Sequence, residues 1–311
     1  MSNKKNTIAA AAILVVSTAQ IGYAAEGGFS FFLPGTAGDV ALAQSPEPGW
    51  QVANTVFVQQ GDANAAVLQG RVSLDLDLTM VLDLVTATYT FDAEALGGTY
   101  TIGAVVPFGY AGLDATVTGP MGGTFSAEPD SFNIADIALV PFQMNWSFGN
   151  YSLKLAEIVY APVGAYDVDE VVNLGLNHWG FDTTFAATYF NQETGTEFSV
   201  APGILINTEN NATDYRSGNE FHVDFTANQF LSQTFGVGVR GYYYKQVTAD
   251  SGSGAALGDF KGESFGIGPG FIWFPEFAAG KMVVLGKWIH DFDATNRFES
   301  DYGTLTVAWT F

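Results

Sequence analysis

DYGTLTVAWTF, residues 301–311, closes the sequence. In an extended strand successive side chains alternate between faces. Gly303, Leu305, Val307, Trp309 and Phe311 therefore share one face, and Thr304, Thr306, Ala308 and Thr310 share the other. One face is mostly large and apolar, and the other is small and weakly polar. The termini of soluble domains are usually polar and frayed, which suits a bare Trp-Thr-Phe ending poorly. A strand that seals a membrane β-barrel suits it well: one face meets lipid, the other a small or polar lumen, and the last aromatic lies in the interfacial girdle. Taken alone, the stretch also fits an inner strand of a soluble sandwich, so the rest of the chain has to decide.

Working outward to the other terminus, Lys4 and Lys5 precede an uninterrupted apolar run over residues 8–16, and Gly22-Tyr23-Ala24 offers small residues at the positions a signal peptidase reads. Residues 1–24 are expected to be a secretory signal peptide, because the run is short of the roughly 20 apolar residues that span a bilayer as a helix. With no cysteine among its 311 residues, the chain has neither disulfides nor thiolate chemistry. Its 32 acids against 11 bases give a formal net charge of −21, and loss of the signal peptide makes the balance more acidic still. Nucleic acid is excluded as a partner on that charge. Charged residues are only 14% of the chain, against about 25% for an average soluble protein. Aromatics match that 14% and there are 36 glycines, a composition that suits a wall facing lipid.

Residues 25–49 do not alternate and are broken by Gly27, Gly28, Pro34, Gly35, Pro46 and Pro48. They are expected to form a plug or a periplasmic lead-in, with a short helix over residues 36–44. From Trp50 to the end, period-2 patterning takes over. Residues 71–91 are the clearest case: Leu74, Leu76, Leu78, Met80, Leu82 and Leu84 alternate with Asp75, Asp77, Thr79 and Asp83. The expectation is leucines on an outer wall, acids on an inner wall, and a bulge near Leu84 or Val85, where the apolar set changes phase. Connections alternate between short ones, such as residues 92–97, 149–150, 191–195 and 231–234, and long polar ones, such as 163–179, 207–218 and 247–260. Short periplasmic turns and long external loops are the signature of an even-stranded membrane barrel. The fold expected is all-β, an antiparallel up-and-down transmembrane β-barrel of about 12 strands over residues 50–311, closed by pairing of the last strand with the one that starts at Trp50. Pro107, Pro141, Pro202 and Pro269 fall inside proposed strands, where each removes a ladder hydrogen bond.

Little in the chain points to catalysis. His178, His222 and His290 are its three histidines, none paired at ligand spacing, so no metal and no cofactor is expected. A hydrolase would need a serine in a recognisable elbow, and no Gly-x-Ser-x-Gly occurs. Residues 236–241, GVGVRG, match G-x-G-x-x-G but lie in an alternating strand and open no helix, so the glycines read as small inner-wall positions where a plug or ligand comes close. The loop over residues 207–220 and the acids Asp167, Asp169 and Glu170 are either plain solvated loops or places where divalent cations bridge to lipopolysaccharide. By parity the ionisable groups expected to line the lumen are Asp75, Asp77, Asp83, Lys154 and Asp182, together with His222, Asp224, Arg240, Lys287 and Asp291. They either pair across the barrel and fix its interior or line a permeation path.

Three short motifs carry a family resemblance. Glu26-Gly27-Gly28, Leu33-Pro34-Gly35 and Pro48-Gly49-Trp50 form the first; Leu96-Gly97-Gly98-Thr99-Tyr100 with Val106-Pro107-Phe108 the second; and residues 290–297, HDFDATNR, the third. In order and spacing the chain resembles the transporter family of the meta-cleavage pathway of phenol degradation, over nearly its whole mature length. Trp309 and Phe311 resemble the barrel-closing signal that the barrel assembly machinery recognises. The family resemblance implies an outer-membrane barrel of a Gram-negative bacterium that admits small hydrophobic or aromatic compounds passively, and it accounts for Pro107 as part of a shared motif. The lipid bilayer, lipopolysaccharide and a small hydrophobic ligand are the expected partners. The alternative is a structural or surface-interaction barrel with a filled lumen.

Overall fold

The computed structural model describes residues 26–67, 72–118, 123–255 and 261–311; the expected signal peptide lies outside the described residues. The first three strands are the longest: β1 (Gly49–Val67), β2 (Val72–Ala95) and β3 (Gly98–Thr118). Two short strands, β4 (Thr124–Ala127) and β5 (Asp130–Ile134), precede β6 (Ile137–Phe148) and β7 (Tyr151–Ala161). Then come β8 (Gly180–Asn191), β9 (Thr196–Asn207), β10 (Glu220–Phe230) and β11 (Phe235–Gln246). The last are β12 (Glu263–Trp273), β13 (Met282–Thr295) and β14 (Glu299–Thr310).

Every pairing is antiparallel, and the ring closes where β14 meets β1, in register from Gln51 opposite Thr310 to Asp62 opposite Glu299. The Phe311 amide donates to the Trp50 carbonyl at 2.9 Å and completes the seam. The wall runs β1, β2, β3, β6 and on through β14, giving a closed barrel of twelve strands. β4 and β5 lie on the same edge of β3 as β6 does, further along it. They are pieces of one strand position, interrupted at Glu128-Pro129 and at Ala135-Asp136. Part of the connection expected over residues 61–70 is strand, because β1 and β2 stay paired from Gly49 opposite Thr90 to Val67 opposite Val72.

Alternation survives in the burial pattern, with a large apolar side chain outward at every second position of most strands. Val52, Val85, Phe185, Val200, Val239, Phe271, Leu305 and Val307 are all exposed on the outer wall. Aromatic rings gird the turn end: Trp50, Tyr89, Phe91, Tyr100 and Phe142 follow one another at centroid spacings of 5.2, 5.0, 5.3 and 6.0 Å. Trp288, His290 and Phe292 form a shorter series at the loop end, at 6.0 and 5.1 Å. A closed ring with an apolar outer band between aromatic girdles is what a bilayer requires of a β-structure.

Strand β2 corrects two expectations. Leu76, Leu78, Met80, Leu82 and Leu84 are buried, whereas Asp75 and Asp77 are exposed and Asp83 bonds Asn54, also on the outer face. The leucines therefore face inward and these three acids outward. Nor is there a bulge near Leu84, since the register of β2 with both neighbours is unbroken through Val85. What changes there is the medium. Along one constant outer face, Asp75, Asp77 and Thr79 give way to Val81, Val85, Tyr89 and Phe91 as the strand passes from water into lipid.

The four prolines are accommodated without ending strands. Pro107 sits between the last β6 partner of β3, Val105 opposite Ala138, and its first β5 partner, Phe108 opposite Ile134. Pro141 falls in a register shift between β6 and β7. Pro202 and Pro269 each keep one ladder and fall in a gap of the other. Each missing N–H thus lies where the ladder is already open.

Candidate functional site

Residues 26–48 run through the inside of the barrel from the loop end to the turn end. Their course follows from unpaired backbone amides that meet inward-facing side chains of the wall. At the loop end the Glu26 amide donates to Ser217 Oγ at 3.2 Å, and Asn210 Nδ2 donates to the Glu26 carboxylate at 2.9 Å. Burial raises the Glu26 carboxyl above its ordinary value, the Thr213 and Asn210 hydrogen bonds opposing it. Ser30 Oγ donates to Glu220. Phe31 stacks on Tyr160 at 4.5 Å and meets the edge of His178, whose imidazole burial holds below its ordinary pKa. Phe32 stacks on His222 at 4.4 Å.

Midway, the Gly35 amide donates to Asp224 Oδ1 at 2.9 Å. Gly35 has φ +75°, and a Cβ there would lie 2.8 Å from Ile289 Cδ1, so both conformation and space select glycine. Asp39 accepts from Lys287 Nζ at 2.7 Å and faces Arg240 Nε at 3.6 Å, with all three side chains at most 5% exposed. Lower down, the amides of Ala41, Leu42 and Ala43 donate to Glu197, Ser199 Oγ and Thr188 Oγ1 at 3.0, 3.2 and 3.0 Å. The helix expected over residues 36–44 is replaced by turns and bends, because these amides are spent on the wall and cannot close an i to i−4 ladder.

The wall is chemically divided. The arc from β8 to β13 supplies Asp182, Thr188, Glu197, Ser199, His222, Asp224, Asn228, Arg240 and Lys287, most of which hold the segment. Across from it, β2, β3, β6 and β7 present Leu82, Leu84, Val105, Ala138, Val140 and Ile158 toward the segment, and β1 and β14 add Thr55, Thr304 and Thr306. Between the segment and this apolar arc lies a cavity of about 250 Å³. It shares Phe31, Leu33, Pro107 and Tyr160 with a smaller apolar cavity of about 90 Å³ that reaches Ala135 and Asp136, at the break between β5 and β6. At the turn end a wide mouth of about 880 Å³ opens beside Val40 to Pro46, with Phe190, Phe230 and Phe274 on its rim.

Of the ionisable residues that parity selected, the structure buries Asp182, His222, Asp224, Arg240 and Asp291 on the inner side. Asp182 Oδ1 meets His222 Nε2 at 3.0 Å. Asp291 lies apart from the segment's ion pairs, accepting from Tyr242, from Tyr302 at 3.1 Å and from the Ser300 amide at 3.1 Å. Lys154 points the same way from β7 and has no hydrogen bond among the described residues. Asp75, Asp77 and Asp83 are not brought to the lumen, as described for β2. Trp309 lies opposite Val52, and Phe311, two-thirds exposed, ends the seam.

Two central residues had not been singled out. Glu197 is fully buried at the base of β9 and gathers Ala41, Ser199, Thr226 and Asn228 around one carboxylate. Its parity with Ser199 pointed inward in the sequence. Asp39, in a stretch without alternation, carried no such signal. The glycines of GVGVRG are crowded by neighbouring strands rather than by the segment: a Cβ at Gly238 would lie 2.2 Å from the Ala227 carbonyl oxygen.

No curated protein matches the sequence. Among solved structures the chain is similar to the COG4313 outer membrane channel from Pseudomonas putida F1, with a TM-score of 0.69 at 15% identity, covering 88% of this chain and all of that one. The transport unit of the autotransporter AIDA-I from Escherichia coli scores 0.46 at 11% identity, with 96% and 97% coverage. A FadL homologue from Pseudomonas aeruginosa scores 0.40 at 8%, with 84% and 89% coverage. These two share little more than a β-barrel with it. The first similarity establishes the fold, that of an outer-membrane barrel. The family model described as "Putative MetA-pathway of phenol degradation" matches residues 38–307, nearly all of the barrel and the end of the segment inside it. The chain belongs to that family.

Proposed function

We propose that this barrel is an outer-membrane channel through which small hydrophobic or aromatic compounds enter passively, with residues 26–48 as its plug. The observation that carries this reading is the divided lumen. The plug spends most of its hydrogen bonds on the β8–β13 arc, with Asn145 and Ser147 of β6 joining near the turn end, and it meets the opposite, apolar arc with the Phe31 ring and with Leu33, leaving a 250 Å³ cavity between. A pore for ions or sugars would line its free side with polar groups, whereas an apolar flank lowers the barrier only for solutes that shed water readily. The smaller cavity extends to the break between β5 and β6, which is bridged by the Ala135 amide on the Pro107 carbonyl and by Asp136 on the Gly164 and Leu176 amides; parting of these few contacts would let a compound leave sideways into the bilayer. The glycine-rich stretch of β12, residues 266–270, offers no second exit: its backbone packs against β13, and a Cβ at Gly268 would lie 1.9 Å from the Trp288 carbonyl oxygen.

Uptake of phenols, toluene, aromatic acids and fatty acids into liposomes tests the proposal. Faster entry of the small aromatics with the protein than without it is expected, and equal rates would sink the idea. The density of plug contacts favours one other reading, a filled shell whose external loops carry the function. Planar-bilayer conductance after deletion of residues 26–48 separates the two, since a filled shell stays closed.

A further inference from the structure

The tip of the plug and the break between β5 and β6 belong to different elements, yet one side chain joins them. Asn210, in the loop after β9, is fully buried. A carboxamide has an oxygen with two lone pairs and two N–H groups, and here all four are used. Asn210 Oδ1 accepts from Asn177 Nδ2 at 2.8 Å and from the Ala212 amide at 3.0 Å. Its Nδ2 donates to the Glu26 carboxylate at 2.9 Å and to the Tyr166 hydroxyl at 3.0 Å. The Asn210 amide also donates to the Tyr215 carbonyl at 2.8 Å, which fixes the residue in its own loop while its side chain reaches both the plug and the loop over residues 163–179.

That second loop carries the link onward. Tyr166 and Asn177 lie on its two arms, which the Gly175 amide ties together on the Ala165 carbonyl at 2.9 Å. The arms touch closely: a Cβ on Gly175 would lie 2.8 Å from the Gly164 carbonyl carbon. On the same arms the Gly164 and Leu176 amides donate to Asp136 at 2.8 and 2.6 Å, and the Ala165 amide donates to the Ile134 carbonyl of β5 at 2.9 Å. Every bond from the loop to the break is thus one or two residues from a bond to Asn210. We propose that plug tip and break are coupled through Asn210 and this loop: withdrawal of Glu26 loosens the break, and parting of the break loosens the plug. The proposal rests on the channel reading with its sideways exit. Its physical basis is the saturated amide. Without Glu26, one N–H of a fully buried group has no acceptor, which is costly, and the loop must part from Asn210 to admit water to it. The same movement draws Gly164 and Leu176 off Asp136. Such a coupling acts equally in both directions.

Amide exchange on the complete mature chain in lipid nanodiscs tests it, with heat-dependent gel mobility showing that each variant has folded. Glu26→Ala should speed exchange at Gly164 and Leu176 by about fivefold or more, although both donate to Asp136 and not to Glu26. Asp136→Ala should speed exchange at Phe29, whose amide donates to the Glu26 carbonyl, by a similar factor. Tyr166→Phe combined with Asn177→Gly removes both bonds from the loop to Asn210. It keeps the ring, and glycine suits the φ of +57° at position 177. In that background Glu26→Ala should leave the Gly164 and Leu176 rates where the double variant sets them. Native rates at Gly164 and Leu176 in Glu26→Ala overturn the proposal. So does an acceleration by Glu26→Ala that persists in the double variant, because the signal then bypasses Asn210. Liposome uptake of toluene, expected to rise severalfold in Glu26→Ala, separates the link from the exit. Coupled exchange with unchanged uptake would remove the sideways exit and keep the link; raised uptake without coupled exchange would remove the link and leave the channel standing.

Discussion

β2 and β10 face each other across the barrel, six positions apart in the ring of twelve strands. Both alternate strictly between apolar and polar residues, and they point in opposite senses. β10 turns Glu220, His222, Asp224, Thr226 and Asn228 inward and Phe221, Val223 and Phe225 toward lipid; β2 turns Leu78, Met80, Leu82 and Leu84 inward. The difference is what each strand meets inside. β10 meets the backbone of the plug, whose polar groups need partners: the Gly35 amide donates to Asp224, and the Asp39 carbonyl accepts from Asn228. β2 meets the rings of the plug and the cavity, where an apolar wall satisfies everything present. A barrel interior is therefore complementary to its contents strand by strand.

The largest effect should come from breaking the polar half. Asp39→Ala leaves Arg240 and Lys287 buried beside an empty position, and loss of one partner from such a cluster costs about 3–5 kcal/mol. The expected result is a plug that leaves the lumen and a several-fold rise in single-channel conductance. On the apolar side Leu84→Asp places an unpaired charge against the cavity. Uptake of toluene should fall by about tenfold or more, with conductance little changed because the plug stays anchored. Next in size is the outer face of β2. Val85→Arg puts a cation into lipid and should destabilise the barrel by about 2–4 kcal/mol, whereas Asp75→Arg, on the part of the strand in water, should stay within about 0.5 kcal/mol. Urea titration of the two variants in lipid vesicles checks both values, and equal effects would reverse the sense assigned to β2.

The smallest effect concerns Glu26. Because burial raises its carboxyl, the tether at the loop end is strongest when the group is protonated and weakens as pH rises through the raised folded value. Glu26→Gln should remove that dependence. Amide exchange at Phe29, whose N–H donates to the Glu26 carbonyl at 3.4 Å, would then be protected at neutral pH as the native chain is in mild acid.

Comparing β2 with β10 also shows what a sequence can tell and where it stops. Strand periodicity, the alternation of turn and loop lengths, and the pairing of residues 301–311 with the strand from Trp50 were legible, since each is a property of local pattern and chain ends. Which face of β2 looks inward was not. Alternation is symmetric under exchange of the two faces, and the rule that lipid takes the apolar side fails where a strand rises out of the membrane and its lumen is apolar too. The plug's path was hidden for a related reason: Asp39 and Gly35 act through contacts to residues about 190–250 positions later, and no local pattern encodes such pairs. Parity did mark His222, Asp224 and Arg240 for the interior, though not that they would be committed to the plug.

The plug leaves the lumen at Gly49, next to the seam where Phe311 meets Trp50. The segment inside the barrel and the last strand therefore meet at one point on the rim, and that geometry makes one order of assembly easier than the other. Before β1 and β14 join, the wall is an open sheet, and residues 26–48 can lie down along it from the side, each amide finding its acceptor directly. After they join, the same contacts are reached only by pushing Phe29, Phe31 and Phe32 lengthwise past the buried side chains of a closed tube. A barrel whose last strand pairs over an already seated segment would be stoppered from the moment it closes.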